Sequence, residues 1–187
     1  MKTSIITERL LIDFLSTGDE DFMLELVNTK GWLKFIGDRN IHSKEDAAAY
    51  IKKILSNSNI IYYVVRVKEN KFPAGIISFI KRDYLEHWDI GFAFLPEFEG
   101  HGYAFEAARE VLLKAIENPE HSNVFATTLP ENESSIKLLK KLGLEFKKVI
   151  EAENELLHLY SGNKLQLIKM SSDYFPSMHP STNNNPK

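Results

Sequence analysis

The stretch from His87 to Ala108 constrains the fold more than any other part of this chain. It begins as alternation: Ile90, Phe92 and Phe94 fall on one side of an extended backbone and Asp89, Gly91 and Ala93 on the other, which is the period of a strand. It then passes through Leu95-Pro96-Glu97-Phe98-Glu99-Gly100-His101-Gly102 into Tyr103-Ala104-Phe105-Glu106-Ala107-Ala108, whose composition is helical. A strand joined directly to a helix leaves the first amides of that helix without intrahelical partners, and the dipole adds partial positive charge behind them. Glycines let the main chain approach an anion closely, so the turn reads as a phosphate cradle. The plainer reading of Gly-x-Gly is a tight strand-to-helix turn.

The rest of the chain supplies the layers around that unit. Arg9 to Leu15 reads as a strand, and Thr17-Gly18-Asp19-Glu20 has capping-box spacing ahead of Phe22, Met23, Leu26 and Val27. A second box, Ser43-Lys44-Glu45-Asp46, precedes Ala47, Tyr50, Ile51, Ile54 and Leu55, the spacing of one buried helical face. Ile60–Val67 and Ala74–Ile80 form a predicted antiparallel hairpin, and His87–Leu95 follows as a strand. The helix from Gly102 is expected to run to about Asn118, stopped by Pro119. Asn123–Thr128 is a further strand. Asn132 is the predicted N-cap of a helix over Ser134–Leu142, with Gly143 as its C′ residue. Leu144–Ile150 and Leu156–Tyr160 close the order. The expected class is α/β (α+β), a mixed, mostly antiparallel sheet of about seven strands flanked by helices. Residues 1–170 are read as one domain and 171–187 as a flexible tail.

Composition narrows the partners. A formal charge of -3, with both signs mixed along the chain, argues against nucleic acid. The absence of cysteine excludes disulfides, thiolate metal sites and a cysteine acyl-enzyme. Six histidines show no metal-ligand spacing, so no metal is expected. With no apolar run long enough for a bilayer and no cleavage pattern at the N-terminus, a cytoplasmic protein without a membrane partner is expected, as monomer or homodimer.

Read together, the glycine turn, Asn132-Glu133-Ser134-Ser135, Leu142-Gly143-Leu144-Glu145-Phe146 and the opening Thr7-Glu8-Arg9-Leu10-Leu11-Ile12 resemble the GNAT N-acetyltransferase superfamily. Trp32-Leu33-Lys34-Phe35-Ile36-Gly37-Asp38-Arg39 adds to the likeness, which spans residues 7–161 and is nearest the ribosomal-protein N-terminal (alanine/serine) acetyltransferase branch. The resemblance implies acetyl-coenzyme A as co-substrate and a splayed sheet. It puts pantetheine beside Ala93, Phe94 and Leu95, the diphosphate over Gly100, His101, Gly102, Tyr103 and Ala104, and a pantetheine contact at Asn132. It implies an oxyanion contact from a main-chain N–H near Phe94. Lys137 is a candidate for a coenzyme phosphate. Two departures stand out: Glu99 occupies a position usually held by Gln or Arg, and Leu139 stands where many relatives carry a general-acid tyrosine. Ser135 matches the serine that the ribosomal-protein branch uses to protonate the departing thiolate; hydrogen bonding within the first helical turn is its simpler reading.

An amine attacks a thioester only when neutral, and a carboxylate, direct or through water, can take its proton. Asp89 is the first candidate and Glu86 the second, each with a solvated strand-end carboxylate as the bland alternative. The expected reaction is direct transfer to a primary amine in a ternary complex, with a protein N-terminal α-amine as the acceptor. Two alternatives stay open: acetylation of a small amine such as an antibiotic, polyamine or amino acid, and a non-catalytic coenzyme A-binding or interaction module.

Overall fold

The computed structural model describes residues 3–152 and 154–174. Its strands are β1 (Ile5–Ile6), β2 (Leu10–Phe14), β3 (Ile60–Val67), β4 (Pro73–Ile80), β5 (Asp89–Phe94), β6 (Asn123–Thr128), β7 (Glu145–Ala152) and β8 (Glu155–Asn163). They form one sheet in the order β1-β2-β3-β4-β5-β6-β8-β7. Neighbours are antiparallel except β5 and β6, which run parallel. The extra strand relative to the sequence reading is β1, two residues long and too short to carry a periodic signal.

The helices are α1 (Glu20–Val27), α2 (Lys30–Phe35), α3 (Lys44–Leu55), α4 (Tyr103–Ala115), α5 (Glu133–Lys141) and α6 (Lys164–Tyr174). Alternation along the strands sends side chains to two separate cores. Val64, Ile76 and Leu95 meet Phe22, Met23 and Leu26 of α1, Trp32 of α2 and Ala47, Ile51 and Ile54 of α3. Val65, Ile77 and Ile90 meet Ala107, Ala108, Val111 and Leu112 of α4, Leu139 of α5 and Leu167 of α6. Burying a residue such as Leu139 contributes about 1.5–3 kcal/mol.

The helix boundaries show which local signals hold. Ser43 and Asp46 form the reciprocal box predicted for α3, and Asn132 caps α5 by accepting from the Ser135 N–H. Gly143 follows α5 with φ +84°. The box expected at Thr17 does not form. Asp19 is the N-cap of α1 and makes no capping bond, because its carboxylate accepts from the Ser16 N–H and hydroxyl and pairs with Arg66 on β3. The helix after the glycine turn ends at Ala115, short of Pro119, which opens a 3-10 turn over Pro119–His121. Residues 171–174 form the last turn of α6 and not part of a tail; the remainder of the expected tail lies outside the described residues.

Candidate active site

The site is built where β5 and β6 part. Their ladder contains one residue pair, Asp89 with Phe125, and the Phe125 N–H donates to the Trp88 carbonyl at 2.8 Å. Two residues further along β6 a side chain takes over from the backbone: the Thr127 N–H donates to Asp89 Oδ1 at 2.9 Å. β6 is held on its other side by β8 from Asn123 to Thr128, so β5 and β6 diverge toward their C-terminal ends as a fork.

The register of β5 with β4 decides which main-chain groups face that fork. The Leu95 N–H donates to the Ala74 carbonyl, and Ala93 pairs with Ile76. Successive residues of a strand direct their amides to opposite sides, so Phe92 and Phe94 present theirs toward β6. Of Ala93, Phe94 and Leu95, Phe94 is the residue whose N–H and carbonyl look into the fork. Gly75 on β4 makes this approach of β4 to β5 sterically feasible. A Cβ there would lie 2.5 Å from the Ala93 carbonyl oxygen and 2.5 Å from Cγ and Cδ1 of Phe94.

At the outer end of β5, a 3-10 turn over Pro96–Phe98 leads into the glycines. Gly100 and Gly102 have φ +76° and +79°, left-handed values that disfavour a side chain. Gly102 is the N-cap of α4, and the first helical bond runs from the Glu106 N–H to its carbonyl. The amides of Gly102, Tyr103 and Ala104 therefore have no intrahelical acceptor, and a Cβ at Gly100 would meet nothing within 4 Å. Unpaired amides at an open helix start fit a diphosphate without requiring a basic side chain there. Glu99 is exposed, so its carboxylate sits in solvent. His101 is exposed as well; its Nδ1 lies 2.9 Å from the Glu99 carbonyl oxygen and its ring stacks on Tyr103.

The two candidate bases differ sharply. Glu86 is exposed on the approach to β5. Asp89 is not a solvated strand-end carboxylate: its side chain is 3% exposed, Oδ2 lies 2.5 Å from Arg82 Nε, and Oδ1 accepts from Thr127. Burial pushes its carboxyl above the usual carboxylate range, opposed by the Arg82 guanidinium and the Thr127 N–H.

On α5, Asn132 Oδ1 accepts from the Ser135 N–H at 3.1 Å and the Ser134 hydroxyl at 2.9 Å. The half-buried Ser135 hydroxyl makes no hydrogen bond among the described residues, so it is not consumed by the first turn of its helix. Lys137 forms an exposed i,i+4 pair with Glu133, whereas Lys141 lies over the Phe105 ring in the first turn of α4. Leu139 is buried among core residues, with no polar role. No group of three or more metal-ligating side chains occurs among the described residues.

Three contributors escape a reading of local sequence. Arg9, between β1 and β2, reaches the glycine loop and pairs with Glu106 of α4. Arg82 holds Asp89, and Gly75 lets β5 close on β4. The opening Thr7-Glu8-Arg9 run carried family likeness but no indication of what Arg9 touches.

Residues 9–145 match the model of the acetyltransferase (GNAT) domain family. The uncharacterized N-acetyltransferase YnaD of Bacillus subtilis is 30% identical over 155 residues, which are 81% of this chain and 90% of that protein. The ribosomal-protein-S5-alanine acetyltransferase of Vibrio fischeri shares the fold at a TM-score of 0.73 and 18% identity, covering 86% of this chain and 96% of that one. The spermidine N-acetyltransferase of Vibrio cholerae, solved with coenzyme A and spermine, does so at 0.74 and 15%, covering 87% and 99%.

Proposed function

The chain belongs to the GNAT acetyltransferase family, and from that premise we propose that it transfers acetyl from acetyl-coenzyme A to an α-amine at a protein or peptide N-terminus, within one domain over residues 1–170. The observation that carries the donor side is the fork: β5 and β6 joined at a single pair, with the Phe94 main chain facing the gap and unpaired amides at its outer end. Acetyl-coenzyme A supplies the activated acetyl thioester. Gly100, His101, Gly102, Tyr103 and Ala104 hold its diphosphate, Phe94 and Asn132 hold pantetheine, and the Phe94 N–H offers a hydrogen bond to the thioester oxygen.

On the acceptor side, exposed Glu86 takes the amine proton toward solvent, and Ser135 gives a proton to the departing thiolate. Asp89 is a positioning residue. Its carboxylate stands in for a missing ladder bond and fixes where the fork begins. The α-amine reading follows from two points. An α-amine, with pKa about 7.7–8.0, is neutral in roughly a fifth to a third of molecules at a pH of about 7.4, whereas a lysine-like amine of pKa about 10.4 is neutral in only about one in a thousand and requires a stronger base. The buried carboxylate at the fork is neutralised by Arg82, which gives a polycation little to recognise there.

The test is thiol release from acetyl-coenzyme A across N-terminal peptides, spermidine, an aminoglycoside and free amino acids, with the acetylated atom located by mass spectrometry. Peptides should give the highest kcat/KM, modified at the α-nitrogen. Faster turnover of spermidine would overturn the acceptor assignment, and no release with any amine would favour a non-catalytic coenzyme A-binding role.

A further inference from the structure

We infer that Arg9 is a positioning residue for the coenzyme A diphosphate: it turns the glycine loop so that its amides face the anion, and it neutralises the carboxylate built into the first turn of α4. The inference rests on the loop being the diphosphate site, as proposed above.

Arg9 makes four polar contacts and one ring contact with the loop and the helix it starts. Nη1 donates to the His101 carbonyl at 3.0 Å. Nε and Nη2 reach Glu106 Oε2 at 2.7 and 2.6 Å, and the Arg9 main-chain N–H donates to Oε1 at 3.1 Å. The guanidinium carbon lies 4.8 Å from the centroid of the Tyr103 ring, which in turn stacks on His101 with planes 16° apart. The Thr7 hydroxyl donates to the same carboxylate. These contacts join positions more than ninety residues apart in the chain.

Two consequences follow from elementary geometry and charge. A trans peptide points its C=O and N–H in opposite directions. By holding the His101 carbonyl, Arg9 therefore directs the Gly102 N–H of the same peptide away from itself, to the opposite side of the loop. Second, Glu106 is the acidic residue of the α4 first turn. Burial raises its carboxyl, but the Thr7 hydroxyl and Arg9 outweigh this and hold it below the usual carboxylate range. It is thus charged at neutral pH, beside the place where an anion binds. Its pairing with Arg9 cancels a repulsion that would otherwise oppose the diphosphate.

The Arg9 side chain is 45% exposed. A pair with a partner this exposed contributes little to global stability, so loss of Arg9 should act on the loop more than on the fold. Calorimetry of the whole chain with coenzyme A and with pantetheine, which lacks the nucleotide and its phosphates, separates the two effects. Arg9→Met should weaken coenzyme A binding about tenfold and leave pantetheine binding within about twofold, with the melting temperature nearly unchanged. Arg9→Lys keeps the charge but not the fork that spans Glu106 and His101, and should lose about threefold. Unchanged coenzyme A affinity in Arg9→Met, or an equal loss for both ligands, would overturn the inference alone. If the unsubstituted protein binds pantetheine as tightly as coenzyme A, the loop is not the diphosphate site, and the proposed donor site fails with it.

Discussion

Replacing Gly75 by alanine tests the strand geometry on which the donor site depends. Gly75 lies opposite Phe94 in the β4–β5 ladder, and its backbone is not in the left-handed region, so conformational strain does not enter. The obstruction is purely steric. A Cβ there falls 2.5 Å from the Ala93 oxygen and from two ring atoms of Phe94, where ordinary contact begins at 3.4 Å. The strands must part by roughly 1 Å, because a packed interior has no slack of that size. Overpacking of this kind costs about 1–3 kcal/mol, and the upper end applies because one obstacle is backbone. For a chain of this length that lowers the melting temperature by about 6–12 °C. The same displacement carries the Phe94 main chain away from the fork, and losing one such hydrogen bond weakens coenzyme A binding about tenfold. Gly91→Ala is the control: its Cβ would meet the Ser78 hydroxyl oxygen at 2.6 Å and no backbone atom within 4 Å. That hydroxyl can rotate away, so the loss should be under about 1 kcal/mol and be relieved by Ser78→Ala. Thermal unfolding and calorimetry read both quantities. Wild-type values of both in Gly75→Ala would refute the register and, with it, the placement of Phe94.

Two further outcomes bear on the chemistry. Ser135→Ala should reduce kcat about tenfold, since a thiolate is already a fair leaving group, and leave KM for acetyl-coenzyme A within about twofold; a matching rise in KM would make the serine a binding residue instead. For Asp89 the sign of the linkage is definite. Its carboxyl is raised by burial, so its stabilising share is full below the unfolded carboxylate value and is lost as pH rises through the higher folded one. Asp89→Asn removes the titration, and urea unfolding should show the wild-type advantage shrinking as pH climbs out of the carboxylate range. An advantage that grows with pH would mean that attraction to Arg82 outweighs desolvation.

Sequence reading succeeded where cause and effect lie within four residues. The Ser43–Asp46 box, the Asn132 cap and the Gly143 C′ residue each depend on groups one helical turn apart. The glycine turn was legible for the same reason, because two left-handed positions and a helix start are local properties. The Thr17 box does not form although its spacing is right, because the helix starts at Glu20 with Asp19 as N-cap, and the Asp19 carboxylate is shared between Ser16 nearby and Arg66 from 47 positions away. α6 went unseen because its apolar residues do not make a strong stripe: Leu165 is 78% exposed and Leu167 fully buried. Composition alone read the segment beyond Ser171 as tail.

The same distinction explains why Asp89 reads one way as a residue and another as a neighbour. An acid on a strand leading to a thioester suggests a base by type and position. What decides its role is the backbone amide of Thr127, 38 positions on, and the guanidinium of Arg82. Two parallel strands that must part need something to end their ladder without leaving an amide unpaired, because a buried orphan amide costs about 1–3 kcal/mol. A short side-chain acceptor at the last paired residue satisfies that demand, and a carboxylate does so with a second oxygen left for a cation that offsets its burial. The contacts of Asp89 therefore set where β5 and β6 divide, and the proposed function assigns proton removal to exposed Glu86 because its carboxylate does not carry that structural task.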